Sequence, residues 1–243
     1  MSDTAPLLPT ILTLLSVAVF AIIHITAPQL AVLGRVPRSR WLSLAGGVAV
    51  AYVFLHLLPD LAVHEETLNE ADSRGELVYI LALAGLATFY GLERVIRRAR
   101  ARGERPEAEG GSFWLHLGSF AAYNLLIGYL LLHREEDTTR SLILYAVAMS
   151  LHFVTNDFGL REDHEGLYDR RGRWLLSGAV LLGAALGWLV ELPETMIIAL
   201  SSFLAGGIVL NVLKEELPED RDSSFLPFAL GVAGYGALLV LIL

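Results

Sequence analysis

Eight segments of this chain contain no Asp, Glu, Lys or Arg, and this feature restricts its fold more than any other. A helix needs about 20 residues to cross the hydrocarbon core of a bilayer, which is about 30 Å thick. The segments approach or reach that length within a composition that is 54% hydrophobic and only 18% charged. They are Leu7–Ala27, Trp41–Pro59, Leu77–Leu92, Phe113–Leu132, Ser141–Asn156, Trp174–Val190, Thr195–Leu213 and Phe225–Leu243. The pattern predicts an all-α polytopic membrane protein, with residues 1–243 forming a single domain of eight transmembrane helices.

The connections between the spans sort the basic residues by side of the membrane. The predicted spans are 7–27, 41–60, 77–95, 113–132, 140–158, 174–191, 194–213 and 225–243. In the connections between the charge-free segments named above, all but Arg74, Arg134 and Arg140 of the 18 Lys and Arg fall in odd-numbered connections. Lys and Arg accumulate in connections that stay in the cytoplasm. The sequence therefore predicts a protein of the plasma (inner) membrane with both termini outside. No Lys or Arg precedes Arg35, so the first span lacks the basic start of a secretory signal and is expected to be retained.

Two spans share a faint repeat of small residues. Ala45-Gly46-Gly47-Val48 begins the second span, which ends on Leu58-Pro59-Asp60. Ala205-Gly206-Gly207-Ile208 lies in the seventh span, which is followed by Leu217-Pro218-Glu219. The two spans cross in opposite directions, as do the inverted-topology repeats of transporters. The similarity fits a three-two-three arrangement, in which spans one to three mirror spans six to eight.

The second span ends in a histidine and a carboxylate. His56 and Asp60 are four residues apart and therefore lie on one helix face. Imidazole and carboxylate both bind divalent cations well, so the pair is predicted to capture a cation at the outer mouth. The acidic connection Asp60–Glu76 would raise the local cation concentration. The alternatives are an interfacial pair at a proline-terminated helix end and an acidic connection that is simply solvated.

Polar side chains also lie inside the fourth and fifth spans. His152 and Asn156 are four residues apart, Asp157 follows them, and Asn124 lies near the middle of the fourth span. Such groups are costly in a membrane and need a partner or a function. We predict that these four residues line a central metal site. The alternative is a set of interhelical hydrogen bonds that hold the bundle together.

The remaining histidines and the absence of cysteine narrow the chemistry. His24 and His116 stand alone in their spans and are predicted to be interfacial or packing residues. The chain has no cysteine, which excludes disulfides, thiolate metal sites and cysteine nucleophiles. Intramembrane metal hydrolases typically carry a His-x-x-x-His pair, and none of the seven histidines here has another histidine four residues further on. An intramembrane metal hydrolase is therefore the last of the functions considered. We therefore expect no enzyme activity.

Taken together, these residues resemble the ZIP family of divalent-metal transporters. The seventh span, Ser202–Leu210 continuing to Glu216-Leu217-Pro218-Glu219, is similar to the family's small-residue stretch ending in Leu-Pro-Glu. Phe54-Leu55-His56-Leu57-Leu58-Pro59-Asp60 resembles its His-Leu-Leu-Pro-acid ending, and Phe89-Tyr90-Gly91-Leu92-Glu93 is similar to the end of its third span. The resemblance implies eight spans with both termini outside, a three-two-three inverted repeat, and a metal centre on spans four and five.

At that centre the family carries His-Asn-x-x-Asp-Gly and His-Glu-x-x-His-Glu. The residues that match are Asn124, Gly128 and His152, with Asn156 near a further family aspartate. Different residues stand at the other matched positions, namely Tyr123, Ile127, Ala148, Met149 and Phe153. Only Asp157 supplies a carboxylate nearby.

The sequence predicts a divergent ZIP-like carrier that moves a divalent cation by alternating access, with zinc first and iron or manganese as the other ions. The expected partners are the lipid bilayer and the transported ion. A homodimer is one assembly to test, and no nucleic-acid-binding patch is evident. The alternative is a ZIP scaffold that has lost transport and acts as a sensor or partner-binding subunit through its basic segment Arg94–Arg105.

Overall fold

The computed structural model describes residues 7–30, 38–71, 74–101, 111–134, 138–216 and 224–242. Within these ranges the chain is helical almost throughout and contains no β-strand. The helices are α1 (Leu7–Leu30), α2 (Arg38–Tyr52), α3 (Leu58–Glu70), α4 (Leu77–Ala101), α5 (Gly111–Leu130), α6 (Thr139–Leu167), α7 (Arg173–Leu189), α8 (Glu194–Glu216) and α9 (Phe225–Ile242). Two π-helical turns, Val53–Leu57 and Tyr168–Gly172, join α2 to α3 and α6 to α7.

Six helical segments of the described chain are long and apolar enough to cross a membrane. They are Leu8–Gln29, Ser43–Glu70, Leu77–Val95, Thr139–Arg161, Tyr168–Leu189 and Glu194–Lys214. Phe225–Leu241 is apolar but shorter. Large apolar side chains such as Leu15, Ile22 and Leu83 are more than half exposed, as expected for surfaces that face lipid instead of water. The all-α class is therefore confirmed, and the protein is membrane-embedded.

The second helical segment extends further than the apolar run predicts. It continues through a π turn and α3 to Glu70, so most of the acidic connection expected after Asp60 is helix. Pro59 stands in the first turn of α3, directly after the π turn Val53–Leu57. The residues from Leu61 to Glu70 include no Gly or Pro and are rich in Leu, Ala and Glu, which favour helix.

The expected connection between the fifth and sixth spans is also helical. α6 continues past the predicted end at residue 158 to Leu167, and a π turn then leads into α7. Other predicted features cannot be compared, because Leu217-Pro218-Glu219 and, in the basic segment, Arg102 and Arg105 lie outside the described residues.

The chain forms two compact units. The first contains α1, the part of α5 from Phe120 onward, α6 and α7. The second contains α2, α3, α4, α8, nearly all of α9 and the start of α5. Each unit therefore combines segments that are distant in sequence.

In the first unit, α1 packs against both α6 and α7. Phe20 meets Phe153 at a ring-centroid distance of 5.1 Å, and His24 meets Asp157 four residues further along both helices. α1 and α6 are therefore parallel. On α7 the order is reversed, because Arg173 bonds to the Ile25 carbonyl oxygen and Ser177 bonds to that of Ala21. α1 and α7 are therefore antiparallel. α5 and α7 are parallel, since a Cβ at Gly183 would overlap the Leu125 backbone and one at Gly187 would lie 3.0 Å from the Tyr129 carbonyl oxygen.

In the second unit, two helix pairs approach through glycine. A Cβ at Gly85 of α4 would overlap the Phe203 carbonyl oxygen of α8, and a Cβ at Gly207 would lie against the Phe89 ring. Lys214 continues the same register to Glu93, at 3.1 Å, so α4 and α8 are parallel. α2 and α9 are parallel as well, with Gly47 against the Phe228 backbone and Gly236 beside Leu55. Small residues allow helix backbones to come this close in membranes.

Candidate functional site

Six polar or hydroxyl-bearing side chains are buried together in the first unit. Their exposed fractions are 0% for His24 and Tyr123, 1% for Asn124 and Asp157, 3% for His152 and 6% for Asn156. α1 contributes the first histidine, α5 contributes two consecutive residues, and α6 contributes three residues, of which His152 and Asn156 share one helix face. Burial of so many polar groups in a membrane-spanning unit is costly unless each has a partner. The hydrogen bonds divide the six residues into two chains.

The first chain is centred on His24. Its Nδ1 lies 2.7 Å from Oδ2 of Asp157, and its Nε2 lies 2.8 Å from Oδ1 of Asn124. The imidazole therefore bridges α6 and α5 through its two nitrogens. Asp157 and Asn124 consequently lie on opposite sides of the ring.

The hydrogen bonds of Asn124 fix where the protons of His24 must be. The Nδ2 of Asn124 donates to the carbonyl oxygen of Phe120 at 2.7 Å, so its Oδ1 is the atom that faces the imidazole. An amide oxygen only accepts, hence Nε2 of His24 carries a hydrogen. A second proton must lie between Nδ1 and Asp157, because a carboxylate oxygen and a bare ring nitrogen would repel at 2.7 Å. The His24–Asp157 pair is thus neutral overall and holds one proton that a cation could displace.

The second chain is centred on His152. Its Nε2 lies 2.8 Å from the Tyr123 hydroxyl and 3.0 Å from Nδ2 of Asn156. The hydroxyl of Thr155 donates to the backbone carbonyl oxygen of His152 at 2.9 Å. This chain contains no carboxylate, so all its groups can stay uncharged.

Aromatic side chains enclose the first chain. The His24 ring lies 4.7 Å from that of Phe153, which packs edge-on against Phe20. The Tyr168 side chain is fully buried, and its hydroxyl lies beside the Asp157 carboxylate and 3.4 Å from the His24 carbonyl oxygen. These neighbours exclude bulk water, which strengthens the interaction between the imidazole and the carboxylate.

The second predicted ligand pair lies in the other unit. Nδ1 of His56 is 3.5 Å from Oδ1 of Asp60, and their side chains are 13% and 35% exposed. At that distance the two atoms do not form a strong hydrogen bond. His56 lies in the π turn Val53–Leu57, which also brings its ring against Tyr52 at a centroid distance of 5.2 Å. The pair is thus adjacent and accessible.

The residues predicted from sequence are brought together in part. His152 contacts Asn156, while Asn124 and Asp157 meet only through His24. The prediction that His24 is interfacial is wrong, because its side chain is fully buried and joins the two other helices through hydrogen bonds. One signal in the sequence could have found it: His24 is the single ionisable residue of α1.

The atoms of the first chain that could act as metal ligands determine which cations it could bind. An imidazole nitrogen and a carboxylate oxygen face each other, with an amide oxygen behind the ring. Within the described ranges, no three His, Cys, Asp or Glu side chains are grouped closely enough to hold a metal ion by themselves. A cation bound here would therefore have two such protein ligands and would need water or hydroxyl oxygens to complete its shell.

Comparison with known proteins adds no family to this geometry. No protein-family model matches the chain, and no curated protein matches it. The resemblance to the ZIP family stays a prediction that rests on the motifs of the second, third and seventh spans.

Proposed function

We propose that this protein is a divergent ZIP-like carrier that moves a divalent cation, with zinc first, across the membrane by alternating access. The observation that carries this proposal is the buried His24–Asp157 pair. It supplies an imidazole nitrogen and the single carboxylate of the cluster at one point. Zinc, iron and manganese all accept this combination of ligands.

Asn124 has an orienting role in this proposal. A histidine that binds a metal through one nitrogen usually donates its other N–H to an oxygen, which fixes the tautomer and the ring direction. The Oδ1 of Asn124 accepts from Nε2 of His24 in this way. Nδ1 is then the nitrogen that meets the ion, on the side of Asp157. The sequence-based role of Asn124 as a direct ligand becomes that of an outer partner.

The sparse ligand set suits a transported ion better than a permanently bound one. Structural zinc sites use four protein ligands, whereas catalytic zinc sites use three and leave one position to water or substrate. His152 and Asn156, one turn away on α6, offer a second, neutral pair of ligands for a passing ion. His56 and Asp60 form the proposed capture pair in the other unit.

The helix directions support the finer architecture that we propose. A chain that crosses a membrane eight times in alternation has parallel helices at spans one and five, two and eight, three and seven, and four and six. The four parallel pairs described above correspond to these. In a three-two-three inverted repeat, the glycine-mediated contact of α2 with α9 corresponds to that of α4 with α8, and this correspondence supports the proposed repeat. The proposed plasma-membrane insertion with both termini outside rests on the distribution of Lys and Arg among the connections.

Transport by the purified protein in liposomes tests the proposal. We expect zinc uptake above that of protein-free liposomes, with at least a 10-fold loss for Asp157→Asn, because one buried ligand and its charge are removed. His24→Gln should lose uptake similarly. His133→Gln is the matched control and should keep wild-type uptake. The His133 ring stacks on that of Tyr129 at a centroid distance of 4.5 Å and does not belong to the cluster. Absence of zinc, iron and manganese uptake by the wild-type protein would overturn the proposal.

A second candidate function is supported by the closed hydrogen bonds of the cluster. Both nitrogens of His24 and one nitrogen of His152 already have protein partners, as expected for groups that hold a bundle together. On this reading the scaffold has lost transport and binds a partner through its basic segment. Co-purification of a stoichiometric partner protein, with no Co²⁺ binding by the purified chain, would favour the second function over the first.

A further inference from the structure

The backbone of α1 is interrupted beside the candidate site. Pro28 lies inside this helix, and a proline has no N–H to donate to the carbonyl oxygen four residues earlier. That oxygen belongs to His24. His24, one member of the His24–Asp157 pair, therefore has a backbone carbonyl oxygen that receives no N–H from position 28 of its own helix.

Donors from outside α1 reach the carbonyl oxygens around this break. The hydroxyl of Ser177, which donates to the carbonyl oxygen of Arg173 in its own helix at 2.7 Å, also approaches that of Ala21 at 3.1 Å. Nη1 of Arg173 approaches the carbonyl oxygen of Ile25 at 3.4 Å. The carbonyl oxygen of His24 itself is met by the Tyr168 hydroxyl at 3.4 Å. This distance is long for an O–H···O bond. The same hydroxyl also lies beside the Asp157 carboxylate.

We infer that Tyr168 is the positioning residue of the His24–Asp157 pair: its hydroxyl approaches the His24 carbonyl oxygen in place of the N–H that Pro28 lacks, and it lies beside the carboxylate of Asp157. The relevance of this contact to ion binding rests on the proposed function. The contact itself exists without any ion and can be tested without one.

The physical reason for such a device lies in the geometry that a cation requires. The imidazole nitrogen and the carboxylate oxygen come from different helices, and a ligand pair binds well only if both atoms are held in place. Outer partners of metal ligands typically contribute 10–100-fold to affinity. Tyr168 is fully buried and begins the π turn Tyr168–Gly172, in which Gly172 is buried as well. Burial of the side chain and of this turn restricts the position of the hydroxyl. π-helical turns of this kind are frequent at functional sites.

The chain allows the two contacts of the hydroxyl to be separated by mutation. Tyr168→Phe removes both contacts and keeps the ring. Pro28→Ala supplies the missing backbone N–H to the His24 carbonyl oxygen, so in the double variant the carbonyl regains a donor within its own helix. Tyr129→Phe is the matched control, because Tyr129 is 5% exposed and its hydroxyl also donates to a carbonyl oxygen, that of Val190, at 3.1 Å.

The first measurement uses the full-length, metal-free protein in detergent with ¹⁵N-labelled histidine. The ring ¹⁵N signals of His24, assigned by their absence in His24→Gln, should shift in Tyr168→Phe and move back toward the wild-type position in the double variant. Tyr129→Phe should leave them unchanged. Signals that stay in place in Tyr168→Phe would overturn the inference, whether or not the protein transports an ion.

The second measurement is Co²⁺ affinity, followed by the visible absorption of the bound ion. Tyr168→Phe should bind roughly 10-fold more weakly than the wild type, and the double variant should recover at least part of that loss while Pro28→Ala alone stays near wild type. Equal affinities for Tyr168→Phe and Tyr129→Phe would contradict a positioning role. If the wild-type protein binds no Co²⁺ but the ¹⁵N shifts occur as expected, the proposed function fails and the positioning role of Tyr168 stands.

Discussion

At the scale of single residues, the protons of His24 determine what a cation has to displace. Nε2 carries a hydrogen toward Asn124, and a second proton lies between Nδ1 and Asp157. A cation can reach Nδ1 only after the second proton leaves, because metal ligands must be deprotonated. We therefore expect one proton to be released for each divalent cation that binds, and binding to weaken as the pH is lowered.

Proton release is measured by titrating the weakly buffered, detergent-solubilised protein with zinc in the presence of a pH indicator. Asp157→Asn should abolish the release together with the binding, since the amide shares no ionisable proton with the imidazole. His133→Gln should release as much as the wild type. Tight zinc binding without any change of pH would show that the ion does not enter between His24 and Asp157.

The sequence could identify several of these residues but not their arrangement. The spacing of His152 and Asn156 on one helix predicts their contact, because residues four apart are neighbours on any helix. His24 meets Asp157 across 133 positions of sequence, and spacing carries no information about such a contact. Its recognition depends on the register between α1 and α6, which follows from packing of Phe20 on Phe153.

At the scale of helices, glycine contacts set how closely α4 and α8 approach. Gly85 faces the backbone of Phe203 and has no room for a Cβ. We expect Gly85→Ala to lower the free energy of unfolding by about 1–3 kcal/mol, the usual cost of overpacking a tight contact. Thermal unfolding of the purified protein in detergent, followed by loss of helical circular dichroism, measures this change.

The matched control for this prediction lies on the same helix. A Cβ at Gly91 of α4 meets nothing within 4 Å, and alanine is the better helix former. Gly91→Ala should therefore leave the unfolding temperature unchanged or raise it slightly. Equal destabilisation by both substitutions would mean that the Gly85 contact does not limit the approach of α4 to α8.

Helix positions follow from the sequence better than helix ends do. An apolar run marks the part of a helix that crosses lipid, whereas the helix itself ends where its backbone loses hydrogen-bond partners. α3 shows the difference, since it continues through the acidic residues Glu65 and Glu66 to Glu70. Glu is a good helix former, so a charged segment next to a span can continue the helix.

At the scale of the whole molecule, the basic residues and the helix directions within each unit support the proposed topology by separate physical routes. Lys and Arg sort by the cost of moving them across a membrane during insertion. The parallel and antiparallel pairs within each unit follow from side-chain packing, which has no reference to charge. α5, which covers the predicted fourth span at Gly111–Leu130, is the decisive element, because it lies outside the six segments with clear spanning character.

Single introduced cysteines test this topology directly, because the chain has none of its own. Glu70, Arg98, Arg170 and Glu191 are all exposed and stand near successive predicted membrane surfaces. A membrane-impermeant maleimide should label Glu70→Cys and Glu191→Cys in intact cells, and Arg98→Cys and Arg170→Cys only after permeabilisation. If α5 did not cross, every later segment would be inverted, so Arg170→Cys would label from outside and Glu191→Cys would not. Glu70→Cys and Arg98→Cys would be unaffected by that change and serve as internal controls, so the labelling of Glu191→Cys decides whether α5 crosses the membrane.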